Sequence, residues 1–164
     1  DKSRSRGLGD VYKRQVGARA QNWLRQEKSY KAFGSDLGRD AGPFESKLSR
    51  FVDINKNFLG KDALLKRKTD VSCVTLLIDG PKDIDPWGRE ALYNETEEVM
   101  LGRLTSAGYS VHFKRSIGIG YVKSSFSEVG TKLRIKIDDA FWNAEIVRDS
   151  PYDPQNERII DRAQ

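Results

Sequence analysis

The sequence predicts an α+β protein in which a helical N-terminal part precedes a small antiparallel β-barrel. Apolar residues first recur at helical spacing, within residues 18–33. From residue 70 onward, short β-branched stretches recur about every ten to fifteen residues with turn signals between them. The 164 residues, of which 37% are hydrophobic, suit one domain or one small domain and the end of another.

The predicted helix over residues 18–33 carries a charged residue on its apolar face. Its apolar positions are Ala20, Trp23, Leu24, Tyr30 and Ala32, and Gly34, Gly38 and Gly42-Pro43 follow it. Glu27 lies three residues after Leu24 and three before Tyr30, so it faces inward. A buried carboxylate needs a partner. Arg25 is too close along the helix to face it. The partner is therefore a ligand's donors or another cation, unless Glu27 belongs to a structural ion pair or reaches the surface.

The segment between the helix and the barrel is predicted to be mostly irregular. Residues 34–44 form a loop that contains Asp36 and Asp40, and residues 47–54 form a short strand or extended segment. A short helix is expected over residues 61–68, because Ala63, Leu64 and Leu65 give it an apolar side and basic residues close it.

Six strands are predicted for the barrel. They cover residues 71–78, 91–93, 99–105, 116–122, 133–137 and 141–147. Gly118 and Gly120 indicate a close approach or a barrel corner within the fourth strand. Residues 105–110 (TSAGYS) are interpreted as a hairpin turn or, alternatively, as a loop that lines a site.

Several classes of function find no support in the composition. Cys73 is the only cysteine and His112 the only histidine, which disfavours a cysteine metal site and a histidine cluster. His112, between Val111 and Phe113, is expected at an ordinary strand or loop position. No apolar run reaches the roughly 18 residues that a membrane helix needs. The pair Gly118-Ile-Gly120 is not a dinucleotide fingerprint, because the third glycine is missing and no helix follows.

The first fifteen residues are interpreted as foreign to the protein. Residues 5–15, SRGLGDVYKRQ, are identified as the translation of a sequencing adapter, so we expect the natural N-terminus to be missing. Residues 1–15 hold five of the 29 basic and two of the 24 acidic residues, which lowers the net charge of the remainder from +5 to +2. The basic character therefore gives little support to nucleic-acid binding by the barrel. The barrel's aromatic residues are interpreted as core rather than as base-stacking platforms.

An ordered set of motifs runs through the rest of the chain. It comprises RAQNWLRQEKSY (Arg19 to Tyr30), GSDL (Gly34 to Leu37), PFE (Pro43 to Glu45) with Leu48, FLGKDALLKRK (Phe58 to Lys68), GREALYN (Gly88 to Asn94), GRLTSAGYS (Gly102 to Ser110), SIGIGYV (Ser116 to Val122), SEVG (Ser127 to Gly130) and SPYDPQNERI (Ser150 to Ile159). In this order they resemble the C-terminal part of the folate-binding, aminomethyltransferase-like module of sarcosine and dimethylglycine dehydrogenases, which the glycine-cleavage T-protein shares. The final motif favours the sarcosine dehydrogenase branch.

The resemblance implies a division of the chain and a function. Residues 16–69 would be the helical C-terminal end of a T-protein-like folate-binding domain, and residues 70–164 the C-terminal β-barrel domain. In that family, tetrahydrofolate captures the one-carbon unit from an N-methyl amine as 5,10-methylenetetrahydrofolate. FAD would bind only to a missing N-terminal part, so the fragment alone is expected to be inactive in amine oxidation.

The resemblance also suggests residues that contact folate. Glu27 would accept hydrogen bonds from the pterin, Tyr30 would stack or hydrogen-bond, and Trp23 would pack on the p-aminobenzoyl ring. Arg25, and less directly Arg158, would meet the glutamate carboxylates of folate. No catalytic residue and no metal ligand is expected within this chain.

Two departures from the family's motifs leave alternatives open. Gln21-Asn22 stand where the T-protein has an Arg-Asp pair, and Ser46-Lys47 stand where the family has Ala-Gly. The alternatives are a stand-alone folate-dependent aminomethyl or methyl transferase and a non-catalytic regulatory homologue. The expected partners are folate and a small N-methyl amine in the full-length enzyme, without nucleic acid or membrane. The expected location is the cytoplasm in a bacterium or the mitochondrial matrix in a eukaryote.

Overall fold

The structure, a computed structural model, describes residues 15–80 and 85–160. Its helices are α1 (Ala18–Glu27), α2 (Lys61–Lys66) and α3 (Glu157–Ile160), and short 3₁₀ turns lie at Ser49–Phe51 and Ser124–Phe126. Its strands are β1 (Val71–Asp79), β2 (Ala91–Tyr93), β3 (Met100–Ser110), β4 (Arg115–Lys123), β5 (Lys132–Ile137) and β6 (Ala140–Val147). The interpretation of the first fifteen residues as adapter falls outside the described residues for positions 1–14.

The six strands close into an antiparallel barrel. Their order around it is β1-β4-β3-β2-β5-β6, and β6 returns to β1. At the centre of β1, Leu76 lies opposite Gly118 of β4 on one side and Ile146 of β6 on the other. The α+β class and the small antiparallel barrel predicted from the sequence are confirmed.

The barrel interior is filled by aliphatic side chains. In β5 the predicted alternation is present, because Leu133, Ile135 and Ile137 are buried while Lys132 and Lys136 are exposed. The other buried members of this core are Val74, Leu76, Ile78, Leu92, Leu101, Leu104, Ala107, Val122, Ala144 and Ile146. Burying each large aliphatic side chain contributes about 1.5–3 kcal/mol to folding.

Strands β3 and β4 approach each other too closely for side chains at certain positions. A Cβ on Gly120 would lie 2.6 Å from the carbonyl oxygen of Arg103, and one on Gly102 would lie 1.9 Å from that of Tyr121. The register also shifts between Leu104 and Ser106, at a β-bulge. The close approach expected at Gly120 is therefore confirmed.

Helix α1 is shorter than predicted. It ends at Glu27 instead of continuing to residue 33, because the backbone of Ser29 turns into the left-handed region at φ +54°. The N–H of Tyr30 then donates back to the carbonyl oxygen of Arg25 (2.8 Å). Helix α2 likewise ends at Lys66, two residues before the predicted end.

Two further predictions from the sequence were wrong. Residues 47–54 form no strand: Lys47 has φ +56° and a 3₁₀ turn follows at Ser49–Phe51. Residues 105–110 are neither a hairpin turn nor a loop but the C-terminal half of β3, which runs on to Ser110. Polar residues and glycine lowered the apparent strand propensity there, whereas the pairing with β4 and the cover on the outer face keep the segment extended.

The part of the chain before the barrel lies on the barrel's outer face. Helix α1 packs against β3 and β4. We call residues 28–48 the covering segment; it follows α1 and contacts the outer faces of β1, β3 and β4. Strand β1 is consequently buried on both faces from Cys73 to Ile78. Among the described residues, no helix has the length and apolarity required to cross a bilayer.

Candidate functional site

Helix α1 approaches the barrel most closely at a glycine of β3. A Cβ on Gly108 would lie only 2.1 Å from Cδ1 of Trp23, so the indole rests directly on the strand backbone. Gln26, one turn further along, is fully buried, and neither atom of its amide has a hydrogen-bond partner among the described residues. This surface positions the last residues of α1, where the predicted site residues lie.

A buried carboxylate that the sequence analysis did not select joins α1, the covering segment and β3. The side chain of Asp36 is fully buried. Its four donors are the guanidinium of Arg25 (2.6 Å), the N–H of Ala32 (2.9 Å) and the hydroxyls of Thr105 and Ser106 (2.6 Å each). Burial by itself raises the pKa of a carboxyl group, but these donors outweigh it and hold the pKa of Asp36 below its usual value of 3.8.

Arg25 is engaged within this network. Its Nη1 bonds to the carboxylate of Asp36 and also donates to the carbonyl oxygen of Tyr30 (2.8 Å), while its Nε donates to the side chain of Asn22 (2.8 Å). The guanidinium therefore fixes the turn that ends α1. Its predicted contact with folate carboxylates stays a prediction.

Glu27 lies inside, as its spacing predicted, and is only 6% exposed. No charged residue within the described ranges forms an ion pair with its carboxylate. The hydroxyl of Ser110 donates to its Oε1, and the N–H of His112 donates weakly to the same oxygen (3.4 Å). No described residue donates to Oε2, so this end of α1 presents a buried carboxylate with one oxygen uncommitted.

The C-terminal tail closes over the same end of α1. The N–H of Tyr152 donates to the carbonyl oxygen of Glu27 (3.1 Å), and Ser150 Oγ donates to that of Lys28 (2.8 Å). The Tyr152 ring lies against His112 at 4.5 Å between centroids, and the guanidinium of Arg158 lies 5.4 Å from the Tyr152 ring. Arg158, 131 positions after Glu27 in the printed sequence, thus comes to the same end of the helix.

The five predicted folate-contact residues are distributed over this region unevenly. Tyr152 contacts both Glu27, through a main-chain hydrogen bond, and Arg158, through its ring. Tyr30, which is 56% exposed, lies three residues after the end of the helix. Trp23 is half-buried against Gly108 one turn earlier. The residues that the sequence analysis missed are Asp36, Ser110 and Tyr152. All three carried a signal, since Asp36 lies in the motif Gly34 to Leu37 and Ser110 and Tyr152 in two other motifs that support the family resemblance.

The departure at Ser46-Lys47 is accommodated without loss of the local fold. The hydroxyl of Ser46 shares a hydrogen bond with that of Tyr121 (2.7 Å), and Tyr121 donates to the carbonyl oxygen of Asp36 (2.9 Å). Lys47 keeps its side chain exposed and adopts a backbone conformation that glycine prefers. Burial raises the pKa of Tyr121 to about 12.

A second buried carboxylate, Glu45, holds the far end of the covering segment. It accepts a hydrogen bond from the hydroxyl of Thr69, and Nε of Arg67 lies 3.2 Å from its Oε1. Burial opposes ionisation, but these contacts keep the pKa of Glu45 below its usual value of 4.5. Burial also raises the pKa of the nearby Cys73 thiol to about 12, so it is an unreactive core group at neutral pH. The described residues contain no cluster of three or more potential metal ligands.

Comparison with protein families shows which family the barrel belongs to. The family of the glycine cleavage T-protein C-terminal barrel domain matches residues 72–153, half of the chain. The chain belongs to this family. Its fold also agrees with a crystal structure of glycine cleavage system aminomethyltransferase T from Bartonella henselae, with a TM-score of 0.73 and 20% identity over 82% of this chain and 38% of that one.

Two kinds of curated relative extend the similarity beyond the barrel. Mitochondrial dimethylglycine dehydrogenase of Mus musculus is 33% identical over 150 residues, which are 87% of this chain and 16% of the relative. An aminomethyltransferase of Thermotoga maritima is 36% identical over 124 residues, which are 74% of this chain and 33% of the relative. The chain thus spans between a sixth and a third of the length of these relatives.

Proposed function

We propose that this chain is the C-terminal part of a folate-dependent demethylating dehydrogenase that acts on an N-methyl amine of the sarcosine or dimethylglycine type. Tetrahydrofolate would receive the one-carbon unit as 5,10-methylenetetrahydrofolate. Similarity to dimethylglycine dehydrogenase over 87% of the chain supports this branch. In a eukaryote the proposed location is the mitochondrial matrix.

The observation that carries the proposal is the carboxylate of Glu27. It is buried at the end of α1, and within the part of the chain that the structure describes only its Oε1 accepts hydrogen bonds. Tyr30, which is exposed, follows three residues later. A carboxylate with a free oxygen suits the amide and amino donors of a pterin, so the residues present fit the cofactor. When bound, tetrahydrofolate supplies the nitrogen atoms that receive the one-carbon unit.

Each residue of this end of the helix has a separate part in the proposal. Ser110 and the N–H of His112 fix the carboxylate of Glu27 in position. Tyr30 offers a ring for stacking, and Trp23 an apolar surface. Arg158, held over Tyr152, supplies a positive charge for the carboxylates of the folate tail. Asp36 acts on this group indirectly, by holding Arg25 and the turn after α1.

The test uses the complete protein encoded by the full reading frame. We expect a flavin spectrum, oxidation of dimethylglycine or sarcosine with an artificial electron acceptor, and formation of methylenetetrahydrofolate. Glu27→Gln should leave the amine oxidation rate unchanged and raise the KM for tetrahydrofolate about tenfold, because a charge-assisted hydrogen bond is lost. Free formaldehyde should accumulate in place of the folate product.

The controls separate the parts of this proposal. Glu128→Gln, at an exposed position of the barrel, should change neither rate nor KM. Arg158→Gln tests the KM for tetrahydrofolate a second time, and because Arg158 is exposed, this substitution does not alter a buried residue. An unaltered KM in both Glu27→Gln and Arg158→Gln would refute the folate site.

A stand-alone aminomethyltransferase is the second candidate, supported by the 36% identity to the Thermotoga maritima enzyme. A complete protein that lacks flavin and amine oxidation but transfers an aminomethyl group to tetrahydrofolate would replace the first proposal with this one. A complete protein that retains neither reaction would be a non-catalytic homologue.

A further inference from the structure

The C-terminal tail, residues 149–160, is held against the end of α1 by a lysine that the proposed function does not use. The side chain of Lys28 is 13% exposed. Its ammonium group donates to the carbonyl oxygen of Asp153 (2.6 Å) and to Oδ1 of Asn156 (2.6 Å), and it lies 4.0 Å from the carboxylate of Asp153. A charge that is largely removed from water needs such partners. Lys28 is therefore committed to the tail.

The other hydrogen bonds between the tail and the end of α1 join neutral groups. Ser150 donates through Oγ to the carbonyl oxygen of Lys28 (2.8 Å) and through its N–H to Oγ of Ser29 (2.9 Å). The N–H of Tyr152 donates to the carbonyl oxygen of Glu27 (3.1 Å). Among the described contacts between the tail and the residues before the barrel, only those of Lys28 have a charged donor. Hydrogen bonds of this kind are about twice as strong as bonds between neutral groups.

The backbone of the tail needs these contacts because it is strained. Ser150, Asp153 and Asn156 have φ values of +53°, +44° and +60°, in the left-handed region that residues other than glycine rarely adopt. Three such residues within seven positions cost conformational free energy, and only the surrounding contacts keep them in place. Asp153 and Asn156 are also the two residues that accept hydrogen bonds from Lys28. Removal of the ammonium group is therefore expected to free the tail from the end of α1.

Asp153 connects Lys28 to the short helix α3. The carbonyl oxygen of Asp153 accepts the ammonium group, and its Oδ1 accepts the N–H of Glu157 (2.9 Å), the first residue of α3. Arg158 is the next residue of that helix, and its guanidinium lies 5.4 Å from the ring of Tyr152. The position of Arg158 at the end of α1 therefore depends on a chain of hydrogen bonds that starts at Lys28.

We propose that Lys28 is a positioning residue, which locks the tail over the Glu27 end of α1 and thereby places Arg158 beside the folate site. The use of Arg158 by folate rests on the proposed function, whereas the locking of the tail does not. A tail that is docked for only a fraction of the time lowers the apparent affinity for folate by that fraction. Lys28 itself acts through the tail and contacts no cofactor atom.

Amide hydrogen exchange of the 164-residue chain, followed by NMR, tests the lock in the absence of folate. Lys28→Met should raise the exchange rate of the Tyr152 N–H about tenfold, because two charge-assisted hydrogen bonds are lost and the tail opens more often. Lys132→Met, at an exposed lysine of β5, is the matched control and should leave that rate unchanged. Thermal unfolding of each variant confirms that it is folded. An unchanged exchange rate in Lys28→Met would overturn the lock.

A substitution in the tail tests the same lock from the other side. Asn156→Gly removes one acceptor of Lys28 while glycine adopts a φ of +60° readily, so we expect a smaller rise in the exchange rate of the Tyr152 N–H. Asp138→Gly, at an exposed residue of the barrel that also has a positive φ, is the control and should not change that rate. If Lys28→Met does not fold, this pair decides: equal exchange rates in the two glycine variants would overturn the lock.

Steady-state kinetics of the complete protein test the link to folate. Lys28→Met should raise the KM for tetrahydrofolate about fivefold and leave the rate of amine oxidation unchanged. Because Lys28 acts through Arg158, the double variant Lys28→Met, Arg158→Gln should have no higher KM than Arg158→Gln alone. Effects that multiply in the double variant would overturn the positioning role. Faster exchange of the Tyr152 N–H with an unchanged KM in all three variants would retain the lock and refute the use of Arg158 by folate.

Discussion

The barrel and the part of the chain before it are stabilised by opposite kinds of buried group. In the barrel, seventeen apolar residues are buried, against only four polar ones, Thr75, Ser106, Ser110 and Ser116. In residues 15–69, by contrast, every buried residue is polar or charged: Gln26, Glu27, Ser29, Asp36, Glu45 and Ser46. Large apolar side chains of that part, such as Phe33, Phe51 and Leu59, lie on the surface. The stability of the barrel therefore depends mainly on buried apolar area, and that of residues 15–69 on directional hydrogen bonds.

This difference has consequences for how each region tolerates change. Burial of aliphatic groups is non-directional, so a barrel side chain tolerates another of similar volume. A buried hydrogen-bonded carboxylate loses much of its stabilisation when its charge or its partner is removed. Three substitutions test the comparison, in decreasing order of expected effect.

The largest effect is expected in the barrel. Leu76→Ala removes a fully buried side chain from the centre of β1 and should lower the free energy of unfolding by about 3 kcal/mol, through lost burial and the cavity that remains. Denaturant unfolding measures this value. Leu59→Ala, at a fully exposed leucine, is the matched control and should change stability by less than about 0.5 kcal/mol. Equal effects of the two substitutions would contradict the core described here.

An intermediate and pH-dependent effect is expected for Asp36→Asn. At pH 7 it should cost about 2 kcal/mol, since Arg25 loses its buried counter-charge. The folded-state pKa of Asp36 lies below 3.8, so its ionised form contributes stability above that pH, and the contribution is lost as the pH falls through the folded pKa. The difference between Asp36→Asn and the unaltered chain should therefore shrink below pH 3.8.

The comparison with an exposed carboxylate sharpens this result. Asp139→Asn, in the turn between β5 and β6, should have little effect at any pH. A gap between Asp36→Asn and the unaltered chain that stays constant from pH 7 to pH 3 would show that the charge of Asp36 is not what holds the covering segment.

The smallest expected effect is an increase, not a decrease, in the free energy of unfolding. Gln26→Met replaces a fully buried amide without partners by an apolar side chain of similar length, and should raise the free energy of unfolding by about 1 kcal/mol. Gln21→Met, exposed on the same helix, should not. Destabilisation by Gln26→Met would mean that the amide is hydrogen-bonded in solution, for which a buried water is the natural partner.

The sequence predicted the barrel well because its signals are local. The alternation of Leu133, Ile135 and Ile137 with basic residues identifies β5 without knowledge of its neighbours. The inward position of Glu27 was likewise visible from helical spacing. Both features depend on residues within one turn or a few strand positions.

The site was predicted less completely because its contacts join distant residues. Asp36 lies in a loop without periodicity, and its partners Thr105 and Ser106 are 69 and 70 positions away. The end of α1 at Glu27 is set by the backbone of Ser29, whose hydroxyl bonds to Thr75 of β1 (2.8 Å). Propensity alone extended the helix, and tertiary contacts ended it.

The tail that closes over α1 constrains the order in which the protein folds. Ser150 and Lys28, joined by a hydrogen bond, are 122 positions apart, and Lys28 also bonds through Nζ to Asn156 (2.6 Å). During synthesis from the N-terminus, the helix emerges long before the residues that fix its end. The contacts that the tail makes at the end of α1 can therefore form only after residues 150–156 have been synthesised, and loop closure over this distance has an entropic cost.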